Sequence, residues 1–242
     1  MDQPRSLNLQ IAILIPAYKP GEQMLDLVRS LADAEASKIV LVNDGSPAEF
    51  MEIFAQAQSC AGVDVLVHAE NQGKGAALKT GLRYLAGLSG GYGGVVTADA
   101  DGQHSVEDIL KIAQQTLEHP EALILGGRRF DRDVPWKSMA GNSITRWVMR
   151  TFFGIHIYDT QTGLRGIPQK LIPLFLEIPY NRYEFEMEML LVCQRKAIPM
   201  REVEILTIYF EQNRGSHFHP FKDAVRVYAQ IMRSALSKEK KV

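Results

Sequence analysis

Residues 94–104 read GVVTADADGQH, an aliphatic run that leads directly into a short acidic loop. Val95 and Val96 are typical of a buried strand, and the polar residues after them indicate that the strand ends there. Asp99 and Asp101 then stand just beyond a strand end, where open α/β sheets bind their ligands. The stretch therefore predicts the ligand-binding edge of an α/β sheet.

The segments around this stretch repeat an alternation of aliphatic strands and amphipathic helices. Strands are predicted at Gln10 to Ile15, Lys38 to Val42, Val63 to Val67, Gly94 to Ala98 and Ala122 to Leu125. Helices are predicted at Gly21 to Ala32, after an N-cap at Ser46, at Lys74 to Leu85 and after an N-cap at Ser105. This order predicts an α/β fold with a mainly parallel, mixed sheet and helices on both faces.

The pattern changes after about Phe130. Long helices are predicted over Asn142 to Phe153 and Tyr183 to Lys196, followed by a β-rich segment over Val203 to Phe210 and a last helix from Phe221. Because no segment has the composition of a linker, we expect a single domain over residues 1–242.

The composition excludes several classes of function. The 27 basic and 28 acidic residues nearly cancel, so the chain lacks the charge excess that drives non-specific binding to nucleic acid. The N-terminus lacks the pattern of a signal peptide, and no apolar run approaches the roughly 20 residues of a membrane-spanning helix. We expect a cytoplasmic protein.

The acidic loop at residues 99–104 has three interpretations. Asp99, Asp101 and Gln103 place oxygens at alternate positions, which suits Mg²⁺ or Mn²⁺ held together with the phosphates of a ligand. A calcium loop is the second interpretation, but His104 stands where it needs glycine and Leu110 where it needs glutamate. A solvated turn is the third, because an isolated Asp-x-Asp is common.

Two further loops follow predicted strands. In the loop at residues 43–46, Asp44 is placed to accept hydrogen bonds from a ribose or a base, and Gly45 permits close approach of the backbone. The loop at residues 71–75 opens a helix, where backbone N–H groups and Lys74 could meet an anion. It is not a Walker P-loop, because Gly75 stands where Ser or Thr is required.

At these motifs the sequence resembles the family 2 glycosyltransferases of the GT-A fold. Within them it resembles the polyprenyl-phosphate sugar transferases such as dolichyl-phosphate mannose synthase. The motifs follow in family order at residues 16–18, 43–46, 71–75, 99–104, 126–128 and 159–165. The resemblance implies a nucleotide-sugar-binding half at residues 1–130 and an acceptor-side half at residues 131–242.

The resemblance also implies roles for residues of the donor site. Pro16, Tyr18 and Asp44 are expected to contact the nucleoside of a UDP-sugar or GDP-sugar. The metal and the diphosphate are expected at Asp99, Asp101 and Gln103. The choice of base stays open, because Asn43 replaces the first of two aspartates that are usual in the family.

On the acceptor side, the resemblance places Arg128 and Lys137 at the acceptor phosphate. Arg214 lies in a late basic loop that closes over the donor phosphates. An oxygen of a polyprenyl phosphate then attacks the anomeric carbon with inversion, and the metal stabilises the leaving nucleoside diphosphate. Such an acceptor implies contact with the inner face of a membrane, for which the helix from Phe221 offers an apolar side.

Two other functions stay open from the sequence. A cytosolic transferase to a saccharide or protein hydroxyl needs a general base, and Glu186 lies in an acidic segment at the start of a helix. The same segment also suits an ordinary charged helix face. The third hypothesis is a non-catalytic module that only binds nucleotide sugars.

Overall fold

The computed structural model describes residues 10–34, 36–88, 91–128, 145–147 and 149–206, with Arg128 described by its backbone alone. Within these ranges one sheet has seven strands in the order β3-β2-β1-β4-β6-β5-β7. The strands are β1 (Ile11–Ala17), β2 (Lys38–Asn43), β3 (Val63–Val67), β4 (Gly94–Thr97), β5 (Leu123–Arg128), β6 (Arg165–Pro168) and β7 (Met200–Ile205).

Parallel pairing dominates the sheet. Strand β1 pairs in parallel with β2 and with β4, β2 pairs in parallel with β3, and β5 pairs in parallel with β7. Only β6 runs the other way among the described strands, antiparallel to both β4 and β5. The predicted mainly parallel, mixed sheet is confirmed.

Helices cover both faces of the sheet. Their bounds are α1 (Glu22–Asp33), α2 (Met51–Gln58), α3 (Lys74–Ala86), α4 (Val106–Glu118), α5 (Ile172–Leu176) and α6 (Glu184–Arg195). One apolar core joins α1, α2 and α4 to the face of β1 that carries Ile11, Ile13 and Ile15. A second core joins α3, α5 and α6 to the opposite face, which carries Ala12 and Leu14. The alternation of buried side chains along β1 places it between the two layers.

Most predicted elements are confirmed to within one or two residues, and two local predictions need correction. Ser105 caps α4 as predicted, since its Oγ accepts from Asp108 N at 3.1 Å. Ser46 does not cap a helix, because its Oγ accepts from Lys19 N at 2.9 Å. Strand β6 was not predicted from the sequence at all. Residues 145–147 and 149–153 are helical, as expected for this segment, whereas 207–242 lie outside the described residues.

Strand β6 generates the first testable prediction, because it leaves no room for a side chain at Gly166. A Cβ there would overlap Thr116 Oγ1 on α4 and approach Ile124 to 3.1 Å. We expect Gly166→Ala to lower the free energy of unfolding by about 1–3 kcal/mol, as overpacking does. Urea unfolding measures this change. The control is Gly87→Ala, where the nearest atom is 3.5 Å away; equal stability of the two variants would contradict the prediction.

Candidate active site

The candidate site lies where β1, β2 and β4 end. Ala17 is the partner of Asn43 in the β1–β2 pair, and Leu14 is the partner of Thr97 in the β1–β4 pair. The three strands are parallel, so the loops that follow them emerge at one edge of the sheet. This edge brings Tyr18, Asp44 and Asp99 together from separate parts of the sequence.

The loops after β1 and β2 are tied to each other. Asp44 N donates to Ala17 O at 2.8 Å, and Lys19 N donates to Ser46 Oγ. Lys19 has a φ of 51° and its ammonium lies 5.3 Å from the centre of the Tyr18 ring. Tyr18 is half-buried beside this ammonium, whereas Pro16 is buried within β1.

The carboxylate of Asp44 organises the neighbouring loop. It is buried and accepts from Gln72 N at 2.9 Å, from Gly73 N at 2.8 Å and from His68 Nδ1 at 2.7 Å. Gly45, with a φ of 71°, packs so closely on the backbone of residues 70–71 that a Cβ would overlap it. Asp44 therefore holds the loop that leads into α3, and its predicted contact with a nucleoside stays a prediction.

Lys74 is the first residue of α3 and joins two carboxylates. Its Nζ lies 2.7 Å from Asp99 Oδ1 and 2.9 Å from Glu186 Oε2. Asp99 follows β4, whereas Glu186 lies in the first turn of α6. The predicted contact of Lys74 to a donor phosphate stays a prediction, but the structure already gives this ammonium two anionic partners.

The other side of Asp99 is also enclosed. A Cβ on Gly163 would overlap the Asp99 carboxylate, so a larger residue at this position would displace that side chain. Gly163 is held in turn because its carbonyl accepts from Thr97 Oγ1 at 2.8 Å. His104 Nε2 lies 3.7 Å from Asp99 Oδ2, a distance of an ion pair rather than of a hydrogen bond. These contacts fix the position of the Asp99 side chain.

Asp99 and Asp101 differ in electrostatic environment although they are two residues apart. Burial raises the pKa of Asp99, but the positive charge of Lys74 and the further contacts of Lys74 and His104 together outweigh burial and hold that pKa below its ordinary value. Burial and then the charge of Asp99 raise the pKa of Asp101 above its ordinary value. For Lys74, burial lowers the pKa, and the charges of Asp99 and Glu186 more than reverse this effect. Asp101 is thus the carboxylate whose negative charge is less fully compensated.

This arrangement fits a divalent cation. Asp101 offers hard oxygen donors beside a second carboxylate, and a cation there would offset their repulsion. Within the described residues, His104 Nδ1 and Nε2 and Glu186 Oε1 are buried without a hydrogen-bond partner. No group of three His, Cys, Asp or Glu side chains in the same ranges forms a closed metal site. A metal at this loop would need oxygens from a second molecule, as Mg²⁺ usually does.

Two buried cations, Arg165 and Lys79, bind the backbone next to the site. Arg165, on β6, donates from Nε to Thr162 O at 3.1 Å and from Nη1 to Glu186 O. Lys79 donates to Ile178 O at 3.0 Å and to Asn181 Oδ1 at 2.6 Å. Arg165 is completely buried, so it is not an ordinary surface charge. No local pattern distinguishes it from an exposed arginine.

Three of the predicted residues cannot be placed by their side chains. Arg128 ends β5, and its side chain is not described, whereas Lys137 and Arg214 lie outside the described residues. Gln103 lies in the acidic loop, and its backbone N–H donates to Asp101 Oδ1 at 3.1 Å. The roles predicted for these four residues stay predictions.

Residues 146–158 carry an exposed aromatic surface. Trp147, Phe152 and Tyr158 are 62%, 50% and 69% exposed. Arg146 stacks on the Tyr158 ring at 5.0 Å. A cavity of about 310 Å³ is lined by Arg146, Trp147, Arg150, His156 and Tyr158, among other residues. We call Trp147, Phe152, Tyr158, Arg146 and Arg150 the aromatic surface. None of the helices in the described ranges is long and apolar enough to cross a membrane.

Comparisons with known proteins agree with this geometry. Residues 12–172 match the model of the family described as glycosyl transferase family 2. The UDP-N-acetylglucosamine–dolichyl-phosphate N-acetylglucosaminyltransferase of Methanococcus voltae is 27% identical over 227 residues, which cover 86% of this chain and 90% of that protein. The dolichyl-phosphate β-glucosyltransferase of Dictyostelium discoideum is 25% identical over 93% of this chain and 74% of its own length.

Among solved structures, glucosyl-3-phosphoglycerate synthase from Mycobacterium tuberculosis is similar. Its crystal structure in complex with Mn²⁺, UDP and phosphoglyceric acid superposes with a TM-score of 0.68 at 16% identity. The superposition covers 96% of this chain and 79% of that chain. The likeness confirms the predicted GT-A fold.

The opposite pKa shifts of the two aspartates predict opposite effects on stability. A raised folded-state pKa means that the Asp101 charge opposes folding at pH 7, whereas the lowered pKa of Asp99 means that its charge stabilises the fold. In EDTA at pH 7 we expect Asp101→Asn to raise Tm by roughly 2–4 °C, which corresponds to about 1 kcal/mol. We expect Asp99→Asn to lower the free energy of unfolding by about 1–3 kcal/mol.

Thermal and urea unfolding at pH 7 and pH 4 measure both variants. The loss in Asp99→Asn should persist at pH 4, because the folded-state pKa of Asp99 lies below its ordinary value of 3.8 and its charge is lost only as pH falls through that lower pKa. The gain in Asp101→Asn should shrink at pH 4, because Asp101 takes up a proton in the folded state as pH falls through its raised pKa. Stability changes of the same sign in both variants at pH 7 would contradict this account of the site.

Proposed function

The chain belongs to glycosyltransferase family 2, and we propose that it transfers a sugar from a UDP-sugar to the phosphate of a polyprenyl phosphate. The carrying observation is the acidic loop after β4, where the Asp101 carboxylate, whose charge is only partly compensated, follows Asp99 of the Lys74–Asp99 ion pair by two residues. Relatives that cover most of the chain are named as transferases to dolichyl phosphate, which supports the acceptor.

For the donor, we assign the nucleoside to the loops after β1 and β2. Pro16 and Tyr18 lie beside Asp44 at this edge, and the buried hydrogen bonds of Asp44 fix the shape of the loop at residues 71–73. A UDP-sugar is favoured over a GDP-sugar because the relative from Methanococcus voltae is named for a UDP-sugar, and the similar crystal structure contains UDP. Arg214 then covers the donor phosphates from the late loop.

The diphosphate lies at the acidic loop in this proposal. Asp99, Asp101 and Gln103 hold Mn²⁺ or Mg²⁺, which when bound neutralises charge on the leaving nucleoside diphosphate. Gly163 and Lys74 keep the Asp99 carboxylate in place on its two sides. The Asp101 carboxylate stays ionised more readily once a cation is near, because its raised pKa reflects uncompensated negative charge.

The acceptor phosphate needs positive charge but no general base. A phosphate monoester is already anionic at pH 7, so it can attack the anomeric carbon directly, with inversion. We assign Arg128, at the end of β5, and Lys137 to this phosphate, since arginine and lysine both bind phosphate oxygens. Glu186 then serves to hold Lys74 rather than to remove a proton.

A second candidate is transfer to a hydroxyl group, which one observation favours. Glu186 Oε1 is buried and has no hydrogen-bond partner within the described residues, so it could accept a proton from a sugar hydroxyl. Glu186→Gln separates the candidates when several acceptors are compared. Loss of about 10²–10⁴ in kcat is expected for a catalytic base, and a much smaller loss for a phosphate acceptor.

We further propose that the aromatic surface rests on the membrane that contains the lipid acceptor. Exposed aromatic side chains flanked by arginine favour the interface of an anionic bilayer. Trp147 and Phe152 pack edge to face with ring centres 6.2 Å apart, so they present one apolar patch. The predicted contribution of the helix from Phe221 lies outside the described residues.

A transfer assay tests the function directly. With radiolabelled UDP-glucose, UDP-N-acetylglucosamine or GDP-mannose, undecaprenyl phosphate and Mn²⁺, we expect label to enter the organic phase from a UDP-sugar. Asp101→Ala should reduce this rate at least about 100-fold, because it removes a ligand of the catalytic cation. Label from GDP-mannose alone would contradict the donor, and label that enters only water-soluble products would contradict the acceptor.

Liposome flotation tests the membrane contact. We expect the chain to float with phosphatidylglycerol vesicles, and the double variant Trp147→Ser, Phe152→Ser to bind about tenfold more weakly because it loses buried apolar area. Val67→Ser is the matched control, since Val67 is 63% exposed on β3, away from the aromatic surface. Equal binding by all three proteins would refute the role of this surface.

A further inference from the structure

The ammonium of Lys74 compensates negative charge of the acidic loop. Its Nζ is within 2.9 Å of both Asp99 and Glu186, and its side chain is only 18% exposed. The ammonium therefore cannot leave both carboxylates for solvent without uncovering two partly buried charges. It acts as an internal cation of the site.

A divalent metal at the same loop must share Asp99 with this ammonium. Asp99 Oδ1 faces Lys74, and Gly163 and His104 enclose the rest of the carboxylate. A metal that binds Asp99 and Asp101 brings positive charge close to Nζ, and like charges at such distances repel strongly in a partly buried site. Lys74 has a second partner in Glu186, toward which it can move.

We propose that Lys74 competes with the divalent metal for Asp99, so that the site binds the metal well only together with a nucleotide diphosphate. Without the nucleotide, Lys74 neutralises Asp99 and weakens metal binding. When the diphosphate is present, its negative charge compensates both the metal and Lys74. This inference rests on the proposed metal-dependent function and assigns Lys74 as a positioning residue of it.

The same contacts link the two sides of the site. If Asp99 served as a metal ligand, the Lys74 ammonium would keep Glu186, in the first turn of α6, as its main partner. Asn181 O, three residues before α6, accepts from Ala76 N in the first turn of α3, so α3 and α6 start from one shared junction. Donor binding would thus tighten the ion pair at the acceptor side before transfer occurs.

Measurement of Mn²⁺ binding tests the inference without any transfer reaction. Free Mn²⁺ is followed by electron paramagnetic resonance in wild type, Lys74→Met and Lys74→Arg, each with and without UDP. In the absence of UDP we expect Lys74→Met to bind Mn²⁺ about tenfold more tightly than the wild type, and UDP to increase its affinity less. Lys74→Arg should behave as the wild type because it keeps the charge.

A control and a second variant keep the test decisive. Lys38→Met removes an ion pair far from the acidic loop, in which Lys38 Nζ lies 2.5 Å from Asp64 Oδ2. This variant should leave the Mn²⁺ affinity unchanged. If Lys74→Met does not fold, the double variant Lys74→Met, Glu186→Gln leaves only Asp99 unpaired. In either variant, Mn²⁺ should raise Tm more than it does in the wild type, because metal restores the lost compensation.

The outcomes separate this inference from the function on which it rests. The inference alone is overturned if Lys74→Met folds but binds Mn²⁺ no more tightly than the wild type, while the wild type binds Mn²⁺ in the presence of UDP. A wild type that binds no Mn²⁺ even with UDP overturns the proposed metal dependence as well. Tighter binding in Lys74→Met supports the competition, whichever acceptor the transfer assay identifies.

Discussion

The ammonium of Lys74, shared by Asp99 and Glu186, is the contact on which the geometry of the site depends. It joins the start of α3, the loop after β4 and the first turn of α6, which come from distant parts of the chain. Two carboxylates this close repel each other unless a cation lies between them. Removal of this one charge would therefore loosen the acidic loop after β4 and the first turn of α6.

The sheet supports this contact by a second constraint. Strand β6 inserts between β4 and β5, and the turn before it places Gly163 against the Asp99 carboxylate. Arg165, the first residue of β6, then donates to the carbonyl of Glu186. The part of the chain after β5 thus contributes a strand, a turn and a helix to a site whose acidic loop precedes β5.

The sequence predicted the strands that carry long aliphatic runs and the loops that follow them. It did not predict β6, because Arg165–Pro168 has only four residues and contains arginine, glycine and proline. What makes it a strand is pairing on both sides, which is a property of the tertiary fold. Ser46 shows the same limit, since its hydroxyl serves Lys19, a residue that becomes its neighbour only when β1 and β2 pair.

The site residues could be named from motifs, but their partners could not. Lys74 lies in a glycine-containing loop that predicts an anion contact. In the structure, the anions that it contacts are the carboxylates of Asp99 and Glu186. Asp44 likewise follows a strand as a ligand contact would, and three hydrogen bonds to its own chain use its carboxylate. Such contacts join residues far apart in sequence, and no local periodicity encodes them.

The ion pair between Glu186 and Lys74 affects which acceptor the site favours. Protonation of Glu186 would remove one of the two anions that compensate Lys74, so Glu186 is poorly suited to take a proton from a hydroxyl group. A phosphate acceptor arrives ionised and makes no such demand. Its negative charge would also add to the anions around Lys74 and the proposed metal, so the charge balance proposed for donor binding favours an acceptor that is itself an anion.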